Sequence, residues 1–247
     1  MSRRVLIVGA SSAIAGACAR LWSSKGAQVF LVARDVGKLE ALANDLRVRG
    51  AAAVHTWVMD ATDTLAHAAM LDACVAALGP LDIALIAHGS LPDQLACQQD
   101  AMLALREFAI NATSAMALLT VLANRFEQQR SGALAVITSV AGDRGRASNY
   151  VYGSAKAAVS VFCEGLRARL FLAGVSVTDI RPGFVATPMT EGLALPAALV
   201  AQPDVVARRI VEGIDRRRDV LYAPGYWGLI MAIIRNIPRP MFKRMKL

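Results

Sequence analysis

Acidic residues run out early in this chain. Its 247 residues include 19 Asp or Glu against 27 Lys or Arg, and from Ala223 onward there is no acid at all. That last stretch holds five bases, Arg235, Arg239, Lys243, Arg244 and Lys246; without them the net charge of +8 falls to +3. Basicity is therefore largely a property of the tail, and the rest of the chain lacks the basic stripe that a nucleic-acid surface needs. Cysteine is scarce as well. Cys18, Cys74, Cys97 and Cys163 lie far apart, form no C-x-x-C pair, and do not cluster with His55, His67 or His88. This spacing excludes a disulfide framework, argues against zinc, and predicts buried, reduced thiols with no metal site. No run reaches the about 18 consecutive apolar residues of a membrane-spanning helix. The apolar run Val5–Ala10 after Met1-Ser-Arg-Arg is too short for a secretory leader, ends at Ser11-Ser12, and reads better as a first strand. The expected location is the cytoplasm.

Apolar residues, in contrast, are abundant: they make up 55% of the chain, and mean hydropathy is +0.44. That is enough for a large core and argues against disorder. Short runs rich in β-branched residues recur at Val5–Val8, Val29–Val32, Ala53–Val58, Ile83–Ala87, Ala133–Thr138 and Val175–Ile180. Longer Ala-, Leu-, Arg- and Glu-rich stretches with helical character separate them. Strand–helix alternation predicts an α/β fold with a mostly parallel sheet, and the lack of polar alternation in the strands predicts both faces covered. Lys25-Gly26, Arg49-Gly50 and Leu78-Gly79-Pro80 read as helix stops. With no repeat and no low-complexity linker, a single domain is expected.

The first strand runs into Gly9-Ala-Ser-Ser-Ala13-Ile-Ala15-Gly16, and a helix follows to about Lys25. A strand, a tight turn and a helix N-terminus together present free N–H groups to a pyrophosphate. The second strand ends Leu31-Val32-Ala33-Arg34-Asp35. A base at that point accommodates the 2′-phosphate of NADP, so Arg34 favours NADP(H), with NAD(H) left open. Asp35 reads as the N-cap of a helix over Val36–Val48.

Farther along, Asn149-Tyr150-Val-Tyr152-Gly-Ser-Ala-Lys156 opens a helix expected to reach about Ala173. Tyr152 and Lys156 stand four apart and share a helix face. A phenol of ordinary pKa about 10 is a poor base at neutral pH, and a nearby ammonium would lower it. Ser139 ends the strand Ala133–Thr138, and Arg181-Pro182-Gly183 with Thr187 follows Val175–Ile180. In a parallel sheet these C-terminal ends meet at one edge, where ligands bind. Asn111 sits within an apolar helix, Phe108-Ala-Ile-Asn-Ala-Thr, where a buried amide needs partners.

These residues, with Asp60 after the third strand, make the chain resemble the short-chain dehydrogenase/reductase family over essentially its whole length. The resemblance implies a Rossmann-type, doubly wound, mostly parallel seven-stranded sheet flanked by helices in one domain. It implies Tyr152 as general acid in reduction, Lys156 lowering the tyrosine pKa and binding the nicotinamide ribose, Ser139 orienting a carbonyl, and Asn111 holding a water in the proton relay. Cofactor contacts are implied at Gly9, Ser11, Ser12, Ile14, Asp60 and Ala61, at Ala87 and Gly89, and at Pro182, Gly183, Val185 and Thr187. The family's glycine turn is altered here at Ala13 and Ala15, and its Asn-Asn-Ala-Gly is Ile86-Ala87-His88-Gly89, with His88 read as structural rather than functional.

Two segments, Ser139–Lys156 and Tyr222–Arg244, are most similar within the family to the keto-reductase half of the decaprenylphosphoryl-ribose 2′-epimerase system. That resemblance implies a keto sugar on a polyprenyl phosphate, reduced beside a flavin oxidase. Residues 1–222 are then expected to form the dinucleotide-binding domain. Residues 223–247 form an apolar and basic extension that either packs on the domain or a partner subunit, or lies at an anionic membrane surface on the inner face. A small-molecule or acyl-chain ketone, or a non-catalytic dinucleotide-binding sensor, are the other readings. A homo-oligomer through the helices bearing Asn111 and Tyr152 is expected.

Overall fold

Val5–Val8 carries no polar side chain because both faces of its strand are covered. In the computed structural model, which describes residues 2–245, it forms β1 (Arg4–Val8), near the centre of the sheet. The tail residues Lys246 and Leu247 lie outside the described residues. The remaining elements follow in alternation: α1 (Ala13–Ser23), β2 (Gln28–Ala33), α2 (Val36–Val48), β3 (Ala53–Val58), α3 (Ala66–Leu78), β4 (Ile83–Ile86), α4 (Gln94–Gln99), α5 (Ala101–Phe108), α6 (Ser114–Gln129), β5 (Ala133–Ile137), α7 (Tyr150–Leu170), β6 (Ser176–Pro182), α8 (Pro203–Asp215), β7 (Val220–Ala223), α9 (Trp227–Asn236) and α10 (Arg239–Phe242).

Seven strands pair in the order β3-β2-β1-β4-β5-β6-β7, every pair parallel. The chain reverses direction across the sheet between β1 and β4, and this switch point opens the crevice in which α/β proteins hold ligands. The strand β7 escaped the reading of short apolar runs. It is four residues long at the sheet edge, and its first residue, Val220, is exposed. Helix stops fall where expected: Gly26, Gly50 and Gly79 all have positive φ.

Two apolar cores cover the two faces. One joins Val5, Ile7 and Leu31 to α1, α2 and α8; the other joins Leu6, Val8 and Phe30 to α3, α6 and α7. Trp22 and Phe126 are the largest side chains fully enclosed in them. All four cysteines are buried thiols. A third, small cluster of Val140, Trp227 and Met231 seats α9 on the domain. The indole of Trp227 fills the space where a side chain on Gly183 would stand and meets Phe184 edge-on at 5.1 Å. α9 thus packs on the domain, while Leu229 and Ile233 on its other face stay exposed.

α5 and α6 are joined by a π-helical turn, Ala109–Thr113, into one rod from Ala101 to Gln129. By length and composition this rod could cross a membrane. Here it lies against the sheet, with Leu118, Leu119, Leu122 and Phe126 buried in the core.

Candidate functional site

The first structural requirement is at the turn after β1. Gly9 has φ +85, a conformation other residues rarely adopt, and a Cβ there would lie 2.3 Å from the His88 amide nitrogen. The close approach of the β1 and β4 ends therefore depends on that glycine. Ser12 is the N-cap residue of α1 but makes no side-chain cap bond, and the first turn has no acid. The helix start accordingly leaves N–H groups for an anion where Ser11, Ser12, Ala13 and Ile14 line the crevice. The departures at Ala13 and Ala15 are accommodated within α1: Ala15 is fully buried in the core and Ala13 lines the cavity.

This crevice is a cavity of about 1050 Å³. At its far end Arg34 closes β2. Its guanidinium is largely exposed, 3.4 Å from Asp60. Asp35 caps α2 by accepting from the Lys38 amide at 3.0 Å, as its position implied. Asp60 accepts from the Thr62 amide and hydroxyl, both at 2.8 Å. The Thr62 amide is the largest influence holding the Asp60 carboxyl below its usual range. Ala61, Ala87 and Gly89 form the stretch between this end and the chemistry.

At the other end the same cavity is lined by Asn111, Ser139, Tyr152 and Lys156, with Pro182, Gly183, Val185 and Thr187 across from them in sequence. Asn111 occupies the π-helical turn, a local widening that recurs at functional sites. Its amide donates to Ser90 Oγ at 2.9 Å and to the Glu107 carbonyl at 3.0 Å, and its oxygen accepts from the Ser90 amide. The Ser90 hydroxyl in turn donates to Glu107. Ser139 follows β5 and caps a short 3₁₀ turn, Val140–Gly142, by accepting from the Ala141 amide. That turn is pressed onto α7: a Cβ on Gly153 would lie 2.8 Å from the Ala141 carbonyl oxygen.

The protonation states depart from the reading of the Tyr152–Lys156 pair. Tyr152 is not lowered but pushed up to about 12 by burial, and its hydrogen bond with Ser139 offsets this only in part. Lys156 is brought down to about 8 by burial, against the pull of Asp179. Its Nζ donates to the Ile137 carbonyl at 3.2 Å and lies 5.6 Å from the centre of the Tyr152 ring. Desolvation of the phenolate is the larger influence on Tyr152, and the Ser139 hydrogen bond is what opposes it.

Behind the site, a buried network secures the loop after Ser139. Arg181 pairs with Asp179 at 2.7 Å and with Asp143 at 2.9 Å. Tyr222 donates to Asp143 at 2.7 Å, and Thr138 donates to Asp179 at 2.5 Å. His88 is structural in its contacts: its Nε2 meets Ser114 Oγ at 2.8 Å, and that hydroxyl donates to the Ile110 carbonyl. Burial pushes the His88 ring down to about 3. Among the described residues no group of three or more metal-ligating side chains is present.

Several lining residues were not anticipated from the chain. Lys38 stands beside Arg34 at the far end, one turn into α2, a spacing that could have flagged it. Arg146, Gln94 and Asn149 line the end near Tyr152. Of these three, Arg146 carried a legible signal, as a base in the short loop between Ser139 and Tyr152.

The chain matches the short chain dehydrogenase family over residues 3–196. It is 39% identical over 243 residues to an uncharacterized oxidoreductase of Mycobacterium tuberculosis, covering 98% of this chain and 96% of that one. An uncharacterized oxidoreductase of Streptomyces coelicolor is 36% identical over 244 residues, with the same coverage of 98% and 96%. Among solved structures, levodione reductase superposes with a TM-score of 0.83 at 22% identity, covering 92% of this chain and 98% of that one. On these matches the chain belongs to the short-chain dehydrogenase family and is an NAD(P)-dependent oxidoreductase.

Proposed function

We propose that the protein reduces a ketone to a secondary alcohol, with NADP(H) preferred over NAD(H). The observation that carries this reading is that one cavity runs from an uncapped helix start to a half-buried Tyr152 hydrogen-bonded with Ser139. Gly9, Ser11, Ser12 and Ile14 would hold the pyrophosphate, and Asp60 and Ala61 the adenosine. Arg34, joined by Lys38, supports the choice of a 2′-phosphate. Ala87, Gly89, Pro182, Gly183, Val185 and Thr187 would frame the nicotinamide end. When bound, the reduced nicotinamide supplies the hydride.

Tyr152 would give its proton to the ketone oxygen as the carbon is reduced. A tyrosine at about 12 is a neutral phenol at physiological pH, the form that can donate. Ser139 would orient the carbonyl oxygen. Lys156, at about 8, holds a proton that exchanges readily near neutrality, and Asn111 would position water behind it. Tyr152→Phe tests this: turnover should fall by at least about 10²-fold while NADPH binding is kept. A variant that retains turnover, or a wild type that binds NADPH and reduces no ketone, would favour a sensor on the same fold.

The narrower substrate, a keto sugar on a polyprenyl phosphate of the 2-keto-ribose to arabinose type with a flavin oxidase as partner, draws on the tail. Leu229, Ile233 and Met241 are exposed among Arg235, Arg239 and Lys243. Such a face suits contact with lipid at the inner side of a membrane by an otherwise cytoplasmic protein. A small or acyl-chain ketone is the other substrate reading. Homo-oligomerisation is supported by the exposed Val161, Phe171 and Leu172 along and after α7.

A further inference from the structure

The loop 142–149 leads from Ser139 to Tyr152, and it carries a charge that the fold leaves unused. Arg146 lines the same cavity as the two catalytic hydroxyls. Its Nε is buried and has no hydrogen-bond partner, and among the described residues no acid forms an ion pair with it. Burial lowers its pKa, and Asp143 is the one acid that opposes this. Asp143, however, is already committed to Arg181 and Tyr222.

The local charge count isolates Arg146 further. Two buried carboxylates, Asp143 and Asp179, face two buried cations, Arg181 and Lys156, so that group is balanced without it. Asp93 also lines the cavity, but one of its oxygens is occupied in capping α4, accepting from the Leu95 and Ala96 amides. A guanidinium held in a partly desolvated cavity without a counter-ion is costly, and an anion entering the cavity would remove that cost.

A second donor points to the same kind of ligand. Gln94 is buried at the start of α4, and its side-chain oxygen accepts from the Val151 amide at 3.0 Å. That bond fixes the amide and leaves Nε2 buried without a partner on the cavity lining. Asn149 Oδ1 is the third such atom there, an acceptor able to take a hydroxyl.

We infer that the substrate carries, apart from its ketone, an anionic group of the carboxylate or phosphoryl kind, which Arg146 and Gln94 hold next to the catalytic hydroxyls. This rests on the ketone-reductase reading above. It makes Arg146 a specificity residue, acting on which ketone enters rather than on proton transfer. A guanidinium offers the two parallel donors that either anion accepts.

The test compares charged and uncharged ketones of matched skeleton. The probes are 4-oxopentanoate against its methyl ester, and dihydroxyacetone phosphate against dihydroxyacetone. In the wild type, kcat/KM should favour the charged member of at least one pair by about 10²-fold, and which pair shows it separates carboxylate from phosphate. Arg146→Gln should bring that ratio close to one, and Arg146→Lys should restore part of it. No charge preference in either pair overturns the proposal. So does a preference that survives Arg146→Gln, or a loss matched by an equal loss of NADPH affinity. If the wild type turns over none of the four, calorimetry of the same probes against NADP-saturated protein separates the two ideas. Charge-selective binding that Arg146→Gln abolishes sustains the anion site and counts against the reductase reading. Equal binding of charged and neutral probes overturns the anion site.

Discussion

His88 shows how burial changes the meaning of a titratable residue. In the folded protein the ring stays neutral down to about 3, whereas the ordinary value is 6.5. Between those values the unfolded chain binds the extra proton, so stability is full above about 6.5 and falls as pH drops toward 3. The slope approaches 1.4 kcal/mol per pH unit, about 2 kcal/mol between pH 7 and 5. His88→Gln keeps a donor for Ser114 and removes the titration. Urea unfolding at both pH values should show a smaller acid loss in the variant, and an undiminished loss would reject this account. At the cofactor end, Arg34→Ala should raise the KM for NADPH at least about 10-fold more than that for NADH, because a 2′-phosphate exists only on the former. Equal effects would remove Arg34 as a selector. The partner of Arg34 in the structure, Asp60, could not be read from the chain, since 26 positions separate the two.

At the scale of elements, the join between the Val140–Gly142 turn and α7 sets the distance from Ser139 to Tyr152. Gly153→Ala places a methyl carbon 2.8 Å from a backbone oxygen, closer than real contacts allow, so the turn and the helix must separate. Turnover should fall about 10-fold or more with NADPH affinity kept, because α1 and β2 are untouched. Unchanged kcat would mean the turn yields without moving Ser139. The first six strands and α2 with its cap were legible because their cues are local: apolar runs, Asp35, and the helix-stop glycines. The π-helical turn under Asn111 was not. The turn packs on α7 together with α5 and α6, and nothing in Phe108–Thr113 marks it locally. The strand β7 was missed for a related reason: at the sheet edge Val220 is exposed and Tyr222 half-buried, so it lacks the wholly buried apolar run that marks the equally short β4.

For the whole molecule, the open question at the sequence level was where the tail goes. Trp227 and Met231 bury one face of α9 on the domain, and Arg144 holds the rest by donating to the Ile234 carbonyl and stacking over Phe242 at 3.7 Å. The opposite face keeps Leu229 and Ile233 in solvent, with bases following. Deleting residues 236–247 should reduce binding to anionic liposomes more than turnover of a soluble ketone, measured by co-sedimentation and NADPH oxidation. Unchanged partitioning would detach the tail from any membrane role.

The alternation of the first six strands with helices, the turn at Gly9, and the spacing of Tyr152 and Lys156 were set by the sequence alone, because each depends on neighbours a few residues away. Protonation and charge balance were decided only in three dimensions. Burial puts Tyr152 at about 12 and Lys156 at about 8. Asp143 and Asp179 are balanced by Arg181 and Lys156 across β6, α7 and the loop after β5, and that leaves Arg146 without a counter-charge. Desolvation and Coulomb energy depend on distance and enclosure, which residue order does not carry.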